Sequence, residues 1–162
     1  MQPEPRGAQA ERAGRREIGP GDQCYPCGVS EHSPTHPVKS LSAKDAALVE
    51  RLRKICLALP EASEKMSHGE PTWFAGKGKV FAMLDNHHHG APHLGVWLPQ
   101  PRGVQEQLIA DEPARFFRPP YVGPKGWVGV VLDSKPDWKR VAQLVRGSYA
   151  FVATAKLRKL LG

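Results

Sequence analysis

Apolar residues recur every second position in several short runs: Val80, Ala82 and Leu84; Leu94, Val96 and Leu98; Val128, Val130 and Leu132. Side chains on a strand point alternately to opposite faces, so each run offers one apolar face to a core. Strands are expected at Pro71–Ala75, Lys79–Asp85 and His93–Leu98. The segments joining them, Gly76-Lys77-Gly78 and Asn86 to Pro92, are of hairpin length. A parallel neighbour would need a crossover of about a dozen residues or more, so the sheet must be mostly antiparallel. Two further runs, the proline-bearing edge segment Phe116–Tyr121 and the β-rich Trp127–Leu132, complete an expected five-stranded sheet.

Helical periods flank and interrupt these runs. Ser42 is a good N-cap, and Asp45 sits in the first turn, where a negative charge suits the helix dipole. Leu48, Leu52, Cys56 and Leu59 then recur at helical spacing until Pro60 stops the helix. A short helix is expected from Gly103 to Ala110, with Val104 and Leu108 inward. A third starts near Asp137 with the stripe Trp138, Val141, Ala142, Val145, Tyr149 and Val152. Lys156–Gly162 forms a basic amphipathic tail. The order α-β-β-β-α-β-β-α describes a two-layer α+β domain over residues 40–162.

Residues 1–39 read differently. Pro, Gly, Arg, Glu and Gln dominate, and nothing apolar recurs with a period. Such a segment cannot bury enough surface to offset its ordering entropy, so a disordered N-terminal arm is expected. An upstream extension from a displaced start codon would have the same composition. Charge separates the two parts further: the arm's five basic and five acidic residues cancel, and residues 40–162 carry the whole net charge of +7. A basic fold attracts polyanions over long range. The chain has no apolar run near the roughly 18 residues that span a bilayer, and no apolar segment follows the N-terminal arginines. A cytoplasmic protein is the default expectation. Three cysteines make no disulfide framework, and Cys56, on a helix's apolar stripe, acts as a small hydrophobe.

The punctuation carries a resemblance. Ala58-Leu59-Pro60-Glu61 closes the first helix, and Ser67-His68-Gly69-Glu70-Pro71-Thr72-Trp73-Phe74 leads into the first strand. Gly78-Lys79-Val80-Phe81-Ala82 opens the second, and Asp111-Glu112-Pro113 and Phe116-Phe117 come before Pro120-Tyr121-Val122-Gly123. Gly126-Trp127-Val128 and a last helix with Ser148-Tyr149 follow. In this order and spacing, over roughly residues 44–153, the chain resembles the MmcQ/YjbR family. The resemblance implies a secretion-chaperone-like fold and a "double wing" mode of DNA binding by two β-hairpins. It implies no catalytic set. The wings would be the hairpin with Lys77 and Lys79 and the hairpin with Arg118, Lys125 and Trp127.

The face of the sheet turned away from the helices collects Phe81, Met83, Trp97 and Trp127, joined by Trp73 or Phe74 according to register. A second apolar face on a two-layer domain marks a binding site or is covered. On the first reading Trp97 and Trp127 stack bases while Lys77, Lys79, Arg118 and Lys125 reach phosphates. On the second, the loop around Arg115–Gly126 or another subunit covers the face. The corresponding functions are a DNA-binding accessory protein working on phosphate backbone, and a non-catalytic protein- or small-ligand-binding module that dimerises through the aromatic face.

Two histidine-bearing segments suggest metal only weakly. In Asp85-Asn86-His87-His88-His89, with His93 nearby, adjacent side chains diverge and do not converge on one ion. Cys24, Cys27, His32 and His36 begin like a zinc knuckle, but the final ligand is a His at the wrong spacing between Pro34 and Pro37. No metal or cofactor is therefore expected. No P-loop or nucleophile elbow is present, and Ser67-His68 lacks an evident third partner, so no enzyme is expected.

Overall fold

A computed structural model describes residues 40–87 and 90–162. The arm 1–39, with Cys24, Cys27, His32 and His36, lies outside the described residues, as do His88 and His89.

Helix α1 spans Ala43–Leu57 and starts as its sequence requires: the Ser42 hydroxyl accepts the Asp45 amide at 3.1 Å. Its stripe buries Val49, Leu52 and Cys56. Burial raises the Cys56 thiol well above its ordinary pKa, which keeps it neutral and unreactive. The chain then forms β1 (Ala62–Ser67), β2 (Glu70–Ala75), β3 (Lys79–Asn86) and β4 (Leu94–Pro99). Helix α2 (Val104–Asp111) leads to the two-residue β5 (Phe116–Phe117), a 3-10 turn at Gly123–Lys125, and β6 (Trp127–Val131). Helix α3 (Trp138–Val152) is capped by the Asp137 carboxylate, which accepts the Lys139 and Arg140 amides. A short α4 (Ala155–Lys159) follows under a Thr154 cap.

The α+β class and the antiparallel sheet are as expected, but the sheet has six strands in the order β1-β2-β3-β4-β6-β5, not five. The extra strand is β1, sequence ASEKMS. It lies at an edge with no fully buried residue, so no period-two apolar signal marks it. The expected strand Phe116–Tyr121 shrinks to Phe116–Phe117. Pro119 and Pro120 have no amide to donate, and the chain turns away there.

Helices α1 and α3 pack on one face of the sheet. Trp73, Ala82, Leu84, Leu94, Val96, Leu98, Val128, Val130 and Leu132 meet Leu52, Val141, Val145 and Tyr149 in the core. Arg51 of α1 lies over the Trp138 ring of α3 at 4.8 Å, a cation–π contact between the helices. At the sheet edge, Glu64 of β1 accepts the Trp73 indole N–H at 2.9 Å and a two-armed Arg53 guanidinium at 2.8 and 3.0 Å. The polar edge strand is thus fastened to α1 by charge-assisted hydrogen bonds.

One aromatic residue expected on the opposite face, Phe81, lies in this core, and of the alternatives Trp73 and Phe74 the register puts Trp73 here too. The pairing of β2 with β3 shifts between Trp73/Phe74, where Ala82 and Val80 are the successive partners and Phe81 is skipped. A bulge of this kind turns two neighbours toward one side. Phe81 is therefore fully buried, 5.2 Å edge-to-face from Tyr149, and its carbonyl accepts the Ser148 hydroxyl at 2.6 Å. Trp73, paired with Ala82, is buried on the same side.

Two ends of the sheet as candidate binding sites

Strand direction gathers the expected phosphate-contacting residues at one end of the sheet. Ala75 pairs with Lys79 across the β2–β3 turn, and Pro99 pairs with Trp127. Lys77, Lys79, Arg102 and Lys125 are all exposed at this end, and Trp127 is half-buried beside Lys125. Arg118 is partly engaged, 3.8 Å from Glu106. Helix α4 adds to the group. Its Leu157 is buried against the β2–β3 turn, so close that a Cβ on Gly76 would stand 3.0 Å from Leu157 Cδ1. The exposed Lys156, Arg158 and Lys159 of α4 thus belong to the same end as Lys77 and Lys79, with the carboxylate of Glu61 among them. Among the described residues Lys77, Lys79, Lys125, Lys156 and Lys159 form no ion pair.

The distribution of charge differs from the expected one. Residues 134–162 hold seven basic residues (Lys135, Lys139, Arg140, Arg146, Lys156, Arg158, Lys159) against Asp137 alone, and so six of the seven net charges. The sheet and its hairpins are close to neutral, and the positive surplus sits on α3 and α4.

The second face of the sheet is largely covered, not flat and open. Phe117 of β5 lies across β6 and β4: a Cβ on Gly129 would come within 2.3 Å of its ring, and one on Gly95 within 3.3 Å. Beyond it the chain folds back so that Tyr121 and Val122 overhang the sheet. Trp97 is only 7% exposed and donates its indole N–H to Asp85 at 3.1 Å. Expected as a stacking platform, it is instead a buried, hydrogen-bonded residue. What stays open is a concavity of about 360 Å³ lined by Ser67, His68, Glu70, Met83, Leu84, Trp97, Tyr121 and Val122. It lies toward the sheet end opposite the lysines, where the β1–β2 hairpin turns through His68 and Gly69, both at positive φ.

The model of the family described as YjbR matches residues 57–151. The chain belongs to the YjbR family. Its fold is similar to that in the crystal structure of Deinococcus radiodurans protein DR2400, which has a DUF419 domain. The two share 26% identity with a TM-score of 0.57, over 70% of this chain and 87% of that one. No curated protein matches. The YjbR match ends within α3, so α4 and its cations lie beyond it.

Among the described residues the geometry completes no catalytic set. Ser67 Oγ lies 3.0 Å from His68 Nδ1, but no described carboxylate bonds that imidazole. Of the histidine turn, His87 Nδ1 is 3.1 Å from the Ala91 carbonyl, and His93 Nδ1 is 3.2 Å from Asp133, which also accepts the Leu94 amide. These contacts close the β3–β4 loop. No group of three or more metal-ligating residues occurs among the described residues. None of the described helices is long and apolar enough to cross a membrane.

Glu70 is the site residue that sequence patterning missed. It is a single carboxylate in a motif of small and aromatic residues, and only the strand pairing places it beside Asp85. Partial burial and the negative charge of Asp85 raise its pKa from 4.5 to about 7. Unfolded, Glu70 ionises near 4.5; folded, it holds its proton to about 7. Its favourable contribution to folding is therefore complete below 4.5 and is lost as pH rises through 7. Glu70→Gln is expected to change stability little at low pH and to raise it relative to the parent at alkaline pH. Urea unfolding on either side of this window checks it, and an equal effect at both pH values would show that Glu70 carries no such linkage.

Proposed function

We propose that the protein binds nucleic acid through phosphate contacts at the cationic end of its sheet. The observation that carries this is the seating of α4 on Gly76 through Leu157, which brings the helix bearing Lys156, Arg158 and Lys159 to the sheet end that holds Lys77 and Lys79. Side chains presented together from a turn and a short helix follow a charged backbone without reading base edges, so the interaction is expected to be largely independent of sequence. The half-buried Trp127 and the exposed Lys125 at the same end extend the surface. The mode implied by the resemblance, two hairpins acting as wings, overlaps this surface at Lys77, Lys79, Lys125 and Trp127. The present proposal moves most of the electrostatic work to α4.

The test is a titration of duplex and single-stranded DNA over a range of salt concentrations. Each phosphate neutralised on a duplex steepens the fall of log affinity with log salt by about 0.9, so a surface of five cations predicts a slope of roughly −3 to −5. Absence of binding in dilute buffer, or an affinity indifferent to salt, would remove the proposal.

A further inference from the structure

The pocket at the other end of the sheet has a chemistry opposite to that of the lysines. Its floor is Met83 and the edge of Trp97, and its wall is Val122 and Tyr121, which is 70% exposed and held at a φ of 61°. The volume of about 360 Å³ lies in the range of small-molecule sites, which are mostly apolar with a few placed polar groups. Among the described residues no lysine or arginine lines it, and the one lining carboxylate is Glu70, on β2. Behind that stands Asp85 of β3, 1% exposed and bonded to the Trp97 indole.

We propose that this pocket binds a small organic cation: an amine whose charged end meets Glu70 and whose apolar or aromatic body lies on Met83 and Trp97 between Tyr121 and Val122. Charge complementarity selects the sign. An anionic ligand would face Glu70 and Asp85 with no lysine or arginine to balance them and only the His68 imidazole at the rim, whereas an ammonium group relieves the repulsion between the two carboxylates. Partial burial and, after it, that repulsion already hold the Glu70 proton to about 7 in the free protein. An arriving cation would stabilise the ionised form. The aromatic walls favour the same sign, because ring faces attract cations. Asp85 is not the primary contact: its carboxylate is occupied with Trp97, and it acts by reinforcing the field at Glu70.

The experiment uses the full chain and two probes of similar shape and opposite charge, 2-phenylethylamine and 3-phenylpropionate, at mildly alkaline pH where Glu70 is ionised. Binding is read from the NMR signals of the Met83 methyl group and the Trp97 indole N–H. The amine is expected to shift both signals and to bind at least about tenfold more tightly than the carboxylate, a difference of about 1.4 kcal/mol. Glu70→Gln should abolish most of that preference while leaving the dispersed spectrum of the folded protein intact. Three results would overturn the proposal: no shift at Met83 or Trp97 up to the solubility of the amine, equal binding of both probes, or an undiminished preference in E70Q. If Glu70→Gln were to unfold the chain, Met83→Gln gives an independent reading: weakened amine binding supports the site and unchanged binding refutes it. Neither result depends on whether DNA binds at the other end.

Discussion

Adding one methyl group at residue 129 is expected to destabilise the protein by about 1–3 kcal/mol, the usual cost of forcing extra volume into a packed site. In Gly129→Ala the new Cβ would stand 2.3, 2.4 and 2.6 Å from three carbons of the Phe117 ring. Side-chain adjustment cannot absorb this cheaply, because the ring also touches the neighbouring strand: a Cβ on Gly95 would meet the same ring at 3.3 Å and the Val130 carbonyl at 3.1 Å. Gly129 lies within β6, paired with Trp97 on one side and Phe117 on the other. Its lack of a side chain, not an unusual backbone angle, is what the fold uses. Phe117 must lift, carrying with it the segment that holds Tyr121 and Val122 over the sheet. A double-mutant cycle isolates the cause. Phe117→Leu removes the ring edge, so the cost of Gly129→Ala should shrink in that background, with a coupling of about 0.5–3 kcal/mol. Urea unfolding of the four proteins measures it. Additive losses would mean that Gly129 acts through strand propensity and that Phe117 does not lie on it.

That contact also shows where the sequence was legible. Periodicity and caps locate α1, α3, the inward sides of β4 and β6, and Ala82 and Leu84 of β3, since each places many apolar residues at one spacing; Val80, beyond the bulge, falls outside the core. Val80–Leu84 and Leu94–Leu98 are strands for that reason. Strand β1 escapes because ASEKMS has no such spacing, and its place depends on Glu64 meeting Arg53 and Trp73 from other elements. Phe81 is misassigned because a period of two presumes an unbroken ladder, and the bulge opposite Trp73/Phe74 breaks it. Trp97 follows the period correctly. What the sequence could not show is that Phe117, from a strand of only two residues, returns to cover that side of the sheet. The carboxylate pair of the pocket was hidden in the same way: Glu70 and Asp85 lie fifteen positions apart and meet only through strand pairing.

Removing three positive charges from α4 is expected to cost far more DNA affinity than removing three from the far end of α3. Net charge is the same in the two variants, so long-range attraction alone predicts equal losses. Position separates them. Lys156, Arg158 and Lys159 are carried at the same end of the sheet as Lys77 and Lys79, because Leu157 seats α4 on the β2–β3 turn. Lys135, Lys139 and Arg140 lie around the start of α3, at the opposite end of that helix from α4. If the first group contacts phosphates, K156A/R158A/K159A should flatten the salt slope by about 2–3 and weaken duplex binding by more than about tenfold. K135A/K139A/R140A should leave the slope nearly unchanged and weaken binding only slightly. Arg158 also donates to the Ala153 carbonyl at 3.2 Å, so its replacement perturbs the start of α4. The pair K156A/K159A, which keeps that bond, is therefore the cleaner variant, with an expected change in slope of about 2. Thermal unfolding of each variant separates loss of the helix from loss of the contacts. Equal losses from the two ends would reduce the interaction to overall charge and leave α4 without a particular role.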